Sequence, residues 1–332
     1  MPFPILGGKS IVSEAYTVGN SCRFNGTDDS LTYTPGSTGN VDKWTLSVWL
    51  KKGWQKFASF HTLSQGLFCA GDCNSGDYTM IRFQSSGATF PDCILFENYV
   101  SSSNTGQTKT QVAFRDVAAW YHFVFVWDSG NATAGDRMRT YANGKEVTVF
   151  GADSNPSVNQ DSHVCSTVEH NFGNFVSQPF HGYMAEIALC DGQTYDADDF
   201  GEFDSNSPTI WKPKDISGLT FGTTGFYLDF ADSDNLGDDE SGNTNDFTEN
   251  NIAAVDQCTD TPTNNFATVN SLDNYYPAAT FTEGDTQVVL TNAPRTYCTA
   301  TVGLTAGKWY WEQKFITNGT STTANLGVTS NP

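Results

Sequence analysis

An Asn-Gly pair, Asn143-Gly144, lies between the runs RMRTYA and KEVTVF and constrains the fold of this chain more than any other short feature. A two-residue type I′ turn needs positive φ at both central positions, and Asn followed by Gly tolerates that conformation best. We therefore predict a β-hairpin in which residues 138–141 pair antiparallel with residues 147–150. A chain that reverses this tightly between apolar runs favours antiparallel sheets.

Alternation of apolar and polar residues predicts strands elsewhere in the chain. WTLSVWLKKG at residues 44–53 and WYHFVFVWD at residues 120–128 are the longest such runs. Residues 168–190 predict another pair of strands, and YDADDF at residues 195–200 is the one segment that predicts a short helix, since its acidic first turn suits a helix N-terminus. Aromatic residues make up 14% of the chain, which suits pleated surfaces. The fold class predicted is all-β.

Four segments in order carry a family resemblance: WTLSVWLKKG, WYHFVFVWD, RTYANGKEV and FHGYMAEIALCDG. They resemble successive strands of a laminin-G-like, concanavalin A-like domain. The resemblance implies an antiparallel β-sandwich, or jelly roll, over residues 21–205, plus a smaller β-rich C-terminal region. Residues 1–20 would then form an extended arm, residues 206–285 a linker with return strands, and residues 286–332 a partial SPRY-like region, because GKWYWEQKFI resembles the opening of a SPRY domain.

The stretch that runs from YDADDFGEF at residues 195–203 to NNFATVN at residues 264–270 resembles a block found in structural proteins of marine bacteriophages. That resemblance implies a virion protein, made in the host cytoplasm, that acts as a tail fibre or fibre-base component in assembly and host attachment. Its partners would be further copies of itself in a homo-oligomer, for which fibres suggest a trimer by analogy, other virion proteins and a host-surface glycan. A capsid-decorating protein and a carbohydrate-binding lectin stay open as alternatives.

The net charge of −20 opposes binding to phosphate backbones and to anionic lipid surfaces, so neither a nucleic acid nor a membrane is expected as a partner. No apolar run approaches the length needed to cross a bilayer. The N-terminus MPFPILGGKS lacks a basic leader, which predicts either cytosolic synthesis or a leader already lost.

Catalytic residues are not predicted. Glycosidases of this fold need a pair of carboxylates about 5–5.5 Å apart for retention, and Glu202 and Asp204 form the nearest pattern, but they lack a third acid and follow a predicted helix. His122 and His181 lie within or beside strand runs and are interpreted as sheet residues rather than bases. We therefore predict a protein that is not an enzyme.

Glycan binding needs exposed aromatic rings beside Asn, Asp or Gly. The candidates are aromatic residues that flank loops of this composition, together with neighbouring acids: Trp54, Phe68, Asp72, Asp77, Tyr78 and, in the same pattern, Phe96. Any one of the aromatic residues could instead belong to the core.

Calcium is the only cofactor considered, and Asp28 and Asp29 are its candidate ligands, with Asp72 and Asp77 as further loop donors. The eight cysteines are expected to be buried free thiols. The alternative left open is one loop disulfide within the set Cys69, Cys73 and Cys93.

Overall fold

The computed structural model describes residues 16–53, 64–85, 89, 91–275, 279–290, 297–304, 306–316 and 327. Two eight-stranded antiparallel sheets pack face to face and carry the main core between them. The prediction of an all-β antiparallel sandwich is confirmed.

The first sheet, here called sheet A, has the strand order β10-β9-β8-β3-β13-β1-β18, and β16 pairs with the far half of β13 beside β1. Its strands are β1 (Ser21–Asn25), β3 (Lys43–Lys52), β8 (Trp120–Asp128), β9 (Met138–Ala142), β10 (Lys145–Glu146), β13 (His181–Asp191), β16 (Phe226–Leu228) and β18 (Gln257–Cys258).

The second sheet, sheet B, has the strand order β11-β7-β6-β5-β4-β12-β2-β17. Its strands are β2 (Ser30–Tyr33), β4 (Gln65–Asp72), β5 (Asp77–Phe83), β6 (Ile94–Val100), β7 (Ser103–Thr110), β11 (Phe150–Ser154), β12 (His170–Phe172) and β17 (Thr248–Asn250).

Among the described residues, three two-stranded sheets and three short helical turns complete the fold. They are β14 (Gly201–Phe203) with β15 (Trp211–Pro213), β19 (Val269–Tyr275) with β22 (Tyr297–Ala300), β20 (Ala279–Thr282) with β21 (Gln287–Leu290), the helix α1 (Ala197–Phe200), and 3-10 turns at Ala134–Asp136 and Ala254–Asp256. The predicted helix is therefore present, and Asp196 forms its capping box with Asp199. None of the helices in this described part of the chain is long and apolar enough to cross a membrane.

The predicted Asn-Gly hairpin forms, but its second strand is shorter than predicted. Asn143 and Gly144 have φ of 47° and 76°, as a type I′ turn requires. Tyr141 pairs with Glu146, and the backbone N–H of Val147 makes the last bond to β9. The chain then crosses to sheet B, where β11 pairs with β7, so the predicted pairing of residues 147–150 with β9 is wrong.

The two strands predicted within residues 168–190 both form, but they do not pair with each other. His170–Phe172 lies between β2 and β4 in sheet B, whereas His181–Asp191 lies between β3 and β1 in sheet A. The intervening loop carries the chain from one sheet to the other. Sequence alternation identifies a strand but does not identify its partner, and here the partner is set by packing between the sheets.

The core is rich in aromatic rings contributed by both sheets. Trp44 and Trp127 of sheet A are fully buried, and their rings are nearly parallel, with centroids 6.5 Å apart. Phe96 of sheet B packs against both indoles. Such rings bury a large apolar area and account for the high aromatic content of the chain.

Strands from the region predicted as linker complete both sheets of the sandwich. β16 and β18 join sheet A, and β17 joins sheet B at its outer edge. Residues 306–316, which include most of the SPRY-like motif, contain no strand, and their rings are exposed, with Tyr310 at 82%. This part of the predicted β-rich C-terminal region is therefore not strand.

Candidate functional site

The candidate site lies on the face of sheet B that points away from sheet A, here called the outer face of sheet B. Alternate residues of a strand point to opposite faces. Phe68, Ile81 and Phe96 point inward and are fully buried. Their strand neighbours Tyr78 and Tyr99 therefore belong to the outer face.

Two tyrosines form a stacked pair on this face. Tyr78 of β5 is directly opposite Tyr99 of β6 in the strand register. Their ring centroids are 5.0 Å apart and their planes differ by 20°. Both side chains are half-buried, so each ring leaves part of its surface accessible to solvent. A pair of rings held in this way is a rigid apolar platform with polar tips.

A buried carboxylate anchors the polar groups next to the tyrosine pair. Glu97 is 3% exposed, and its Oε1 lies 3.4 Å from Nη2 of Arg82 and 3.5 Å from the Tyr78 hydroxyl. Its Oε2 accepts a hydrogen bond of 3.1 Å from Nε2 of Gln107. Burial raises the pKa of Glu97, and the nearby Arg82 guanidinium opposes that rise. Both carboxylate oxygens are thus engaged by protein groups.

A loop between β12 and β13 covers the centre of the outer face. Phe175 and Val176 pack on Cys69 and Met80, and Arg82 Nη1 donates a hydrogen bond of 3.2 Å to Oε1 of Gln178. Val176 and its neighbour Ser177 both have positive φ, 53° and 55°, a conformation that non-glycine residues rarely adopt. This loop and the turn between β1 and β2 line a solvent-open pocket of about 340 Å³ beside the part of the outer face that the loop covers.

A disulfide joins Cys69 of the outer face to Cys73, which corrects the expectation that all cysteines are free. It corresponds to the loop disulfide that the sequence left open as an alternative. Cys93 is a buried free thiol, as are Cys22, Cys165 and Cys190. The disulfide ties the start of the β4–β5 turn to the covered centre of the face.

The predicted glycan-binding residues divide between face and core. Tyr78 lies on the outer face as described above. Phe68 and Phe96 are fully buried between the sheets, so neither ring can stack on a sugar, and that prediction is wrong. Both sit in runs where hydrophobicity alone cannot distinguish inward from outward positions. Trp54 lies outside the described residues.

The two acids predicted beside the site stabilise turns at its rim. Asp72 Oδ1 accepts a hydrogen bond of 3.0 Å from the Asn74 backbone N–H within the β4–β5 turn. Asp77 Oδ1 accepts one of 2.6 Å from the Ser101 backbone N–H, which ties that turn to the β6–β7 turn. They border the tyrosine pair and shape the loops beside it.

Asp28 and Asp29, the predicted calcium ligands, both interact with Asn25. The Asn25 side-chain amide donates to Asp28 and to Asp29, and the Asn25 backbone N–H donates to Asp29. Burial raises the pKa of Asp29 to about 7. Within the residues that the structure describes, no group of three or more His, Cys, Asp or Glu side chains could hold a metal ion.

Tyr99, Glu97, Arg82 and Gln107 are the site residues that sequence reasoning missed. The signal was the alternation in CILFENYV, which places Leu95, Glu97 and Tyr99 on one face of β6. A charged residue at the centre of an otherwise apolar run marks a polar cluster, because burying a lone carboxylate is costly.

Three of the residues considered for catalysis lie in strands. Glu202 lies in the short strand β14, and Lys212 Nζ is 3.0 Å from Glu202 and 3.6 Å from Asp204. His122 and His181 lie in β8 and β13, as predicted, and both are almost completely buried. Burial lowers their pKa to about 3 and about 4.

One further buried acid, Glu186, lies on sheet A, whereas the tyrosine pair lies on sheet B. Glu186 sits at a bulge in β13 with φ of 49°, and its Oε2 accepts hydrogen bonds from the hydroxyls of Tyr16 and Tyr227 at 2.9 and 2.8 Å. Burial raises the pKa of Glu186 to about 7. The Tyr16 bond fastens the start of the described chain to the sandwich.

Solved structures with a similar fold include proteins of several kinds. The heptameric SAP-like pentraxin from Limulus polyphemus is 16% identical, with 55% of this chain and 80% of that chain covered and a TM-score of 0.37. Domains LG4-5 of the mouse laminin α1 chain are 10% identical, with coverage of 56% and 46% and a TM-score of 0.35. The Ruminococcus gnavus IT-sialidase CBM40 bound to α2,3-sialyllactose is 13% identical, with coverage of 50% and 87% and a TM-score of 0.33.

No curated protein sequence matches the chain. Residues 25–197, which are just over half of the sequence, match the laminin G type model of one protein family. The match spans the strands from β2 to β13, and so it contains all of the outer-face residues described above. This chain belongs to the concanavalin A-like lectin/glucanases superfamily.

Proposed function

We propose that the chain is a non-catalytic glycan-binding module whose binding surface is the outer face of sheet B. The observation that carries this proposal is the stacked pair Tyr78 and Tyr99, half-buried beside the Glu97 cluster. A sugar ring has an apolar face of C–H groups and a rim of hydroxyls. A rigid aromatic platform bordered by fixed polar groups complements both features.

Preorganisation supports the proposal. Glu97 holds Arg82 and Gln107 in place in the absence of ligand, and the opposed register of Tyr78 and Tyr99 fixes their rings. Side chains that are already ordered lose little conformational entropy on binding. A weakly binding oligosaccharide could therefore be recognised without rearrangement of the sheet.

The test is binding of the purified protein to a printed glycan array, followed by titration of the strongest hits. Tyr99→Ala should weaken binding by about two- to tenfold, since a stacking contact of this kind contributes about 0.5–1.5 kcal/mol. Tyr310→Ala removes an exposed tyrosine far along the chain from this face and is the matched control. An array without hits, or equal loss in both variants, would contradict the proposal.

The biological setting is a second part of the proposal, and it rests on the resemblance of residues 195–270 to marine phage structural proteins. We place the module in a homo-oligomeric tail fibre or fibre base that attaches the particle to host-surface glycans. Immunogold electron microscopy of particles from the source tests this placement. Gold on the tail supports it, gold over the shell favours a capsid-decorating protein, and particles without gold favour a lectin outside the virion.

A further inference from the structure

Residues 308–316, KWYWEQKFI, here called the exposed segment, present a continuous run of apolar surface to solvent. Every large apolar side chain in the segment is at least 48% exposed: Trp309, Tyr310, Trp311, Phe315 and Ile316. In the sandwich, tryptophan and phenylalanine rings instead fill the core. Isolated exposed apolar residues are ordinary, whereas a contiguous group of them indicates an interaction surface.

The exposed segment has the residue pattern of a β-strand. On an extended chain, one face would carry Trp309, Trp311, Gln313 and Phe315, and the other would carry Tyr310, Glu312, Lys314 and Ile316. The Tyr310 hydroxyl donates a hydrogen bond to Oε1 of Glu312, as two residues on the same face of a strand can. Among the described residues, no backbone–backbone hydrogen bond joins the segment to another part of the chain. Its backbone edges are therefore open to pairing with another strand.

The charges of the exposed segment favour a second copy of the same segment as its partner. Glu312 and Lys314 are both exposed and lie two residues apart. When two copies run antiparallel with Gln313 opposite Gln313, Glu312 of each copy is directly opposite Lys314 of the other. Opposite charges placed directly across two strands stabilise the pairing, and like charges destabilise it. The register centred on Gln313 thus contains two favourable charge pairs.

Neighbouring registers are unfavourable for the same reason. Sliding one copy by two residues in either direction places Glu312 opposite Glu312 or Lys314 opposite Lys314. A parallel, in-register pair places every charge opposite its like. A slide by one residue turns opposing side chains to different faces of the pair. The two charges therefore select one register among its neighbours.

The apolar residues agree with the register centred on Gln313. It places Trp311 opposite Phe315 and Tyr310 opposite Ile316, and the two-fold symmetry repeats both pairs. Cross-strand pairs that contain an aromatic ring are among the stabilising ones. Each of these exposed side chains thus gains an apolar neighbour.

One more distant register also pairs opposite charges. With Tyr310 opposite Tyr310, Lys308 of each copy would lie opposite Glu312 of the other. That register extends the strand through Gly307, which has φ of 114°, whereas antiparallel strands have φ near −140°. The register centred on Gln313 needs no residue before 310 and is the one that the backbone favours.

We propose that residues 310–316 form a homodimer contact, in which the exposed segments of two copies pair as antiparallel strands centred on Gln313. The contact is isologous, so both copies contribute the same surface. A single pair of short strands is a small interface, and we expect a reversible dimer. Two-fold pairing differs from the trimer that fibres suggest by analogy. The contact uses neither the matched residues 25–197 nor the outer face of sheet B.

Sedimentation velocity across a range of protein concentrations tests the contact through its charges. Wild type should dimerise reversibly. Glu312→Lys places like charges opposite each other twice and should weaken dimerisation by about tenfold or more. Exchanging both charges, Glu312→Lys together with Lys314→Glu, restores two opposite pairs and should return dimerisation to near the wild-type strength. Glu146→Lys, at an exposed glutamate of β10, is the matched control.

Cysteine cross-linking tests the register. Gln313→Cys places the two introduced thiols directly opposite each other, at a Cα separation that a disulfide can span, so oxidation with copper–phenanthroline should give a covalent dimer. Tyr310→Cys is the central position of the other register, and in the proposed one it lies opposite Ile316, so it should give little covalent dimer. Wild type oxidised in the same way controls for the native free cysteines.

Three results would overturn the proposal. They are a protein that stays monomeric at millimolar concentration, a dimer that Glu312→Lys leaves intact, and cross-linking through residue 310 in place of residue 313. Titration with a soluble glycan does not depend on this contact, because one glycan binds one chain. Tyr310→Ala therefore remains the control in those titrations, and either proposal can fail without the other.

Discussion

The indole Nε1 of Trp211 donates a hydrogen bond of 3.0 Å to Nδ1 of His122. This bond makes Nδ1 the acceptor, so the ring proton of neutral His122 is on Nε2, which lies 2.9 Å from the Ser47 hydroxyl. The imidazole is stacked between Trp211 and Trp49, with centroids at 5.9 and 4.6 Å. A residue from β15 thus covers a buried histidine of β8, which joins the region after the matched domain to sheet A.

Replacing Trp211 should loosen that junction. Trp211→Phe keeps an aromatic ring but leaves His122 Nδ1 buried without a donor, which costs about 1–3 kcal/mol of the free energy of unfolding. Urea unfolding followed by circular dichroism measures the loss. Trp309→Phe, at a tryptophan that is 48% exposed, is the control. Equal stability of the two variants would show that the bond contributes nothing.

A glycine contact tests the same junction through packing. A methyl group added at Gly201 would lie 2.5 Å from Cζ2 of Trp211, well inside van der Waals contact. Gly201→Ala should therefore lower the free energy of unfolding by about 1–3 kcal/mol, as overpacking does. Thermal unfolding measures the loss. Gly218→Ala, at a position where nothing lies within 4 Å of the added methyl group, should have a much smaller effect. Similar melting temperatures for both variants would contradict the packing described for Trp211.

A buried ion pair at the end of β3 predicts a larger effect. Lys51 is 1% exposed, and its Nζ lies 2.8 Å from Asp260, which also accepts a hydrogen bond of 3.0 Å from Trp120 Nε1. Lys51→Met leaves that carboxylate buried without its cation, so we expect a loss of about 3–5 kcal/mol. Lys43→Met removes a lysine that is 45% exposed and 4.0 Å from its partner, and should change stability by less than about 1 kcal/mol. Chemical denaturation of both variants measures the difference.

Glu186 predicts a specific dependence of stability on pH. Its pKa rises from 4.5 to about 7 on folding, so ionisation is less favourable in the folded state. The stabilisation present below pH 4.5 is therefore lost as the pH rises to about 7. The free energy of unfolding of Glu186→Gln, relative to that of wild type, should therefore rise by about 3 kcal/mol between pH 4 and pH 8.

The measurement is the free energy of unfolding of both proteins across that range. Glu146→Gln, at an exposed glutamate of β10, controls for the general effect of removing one acid. A Glu186→Gln difference that stays constant with pH would show that this carboxyl titrates alike in the folded and unfolded states.

Local signals in the sequence were enough to identify most elements of the sandwich. The Asn143-Gly144 turn and the long strands β3, β8 and β13 follow from turn chemistry and alternation. Strand pairing is less predictable. β12 has only three residues and pairs between β2 and β4, which a reading of adjacent segments cannot reveal, because such pairing depends on contacts distant in sequence.

The candidate site was only partly predictable for a related reason. Tyr78 was identified because it borders a loop, but Phe68 was assigned to the same surface although it points into the core. The alternation in CILFENYV places Glu97 and Tyr99 on one face of β6, but only the strand register shows that they lie opposite Met80 and Tyr78. A shift of one residue in either strand would have moved them to the other face.

Hydrogen–deuterium exchange, with and without the glycan that gives the strongest array signal, tests the central claim most directly. Our account predicts ligand-dependent protection in β5, β6 and β7, with sheet A unchanged and the effect lost in Tyr99→Ala. Protection confined to sheet A, or an array that yields no glycan for the experiment, would contradict the assignment of the binding surface to the outer face of sheet B.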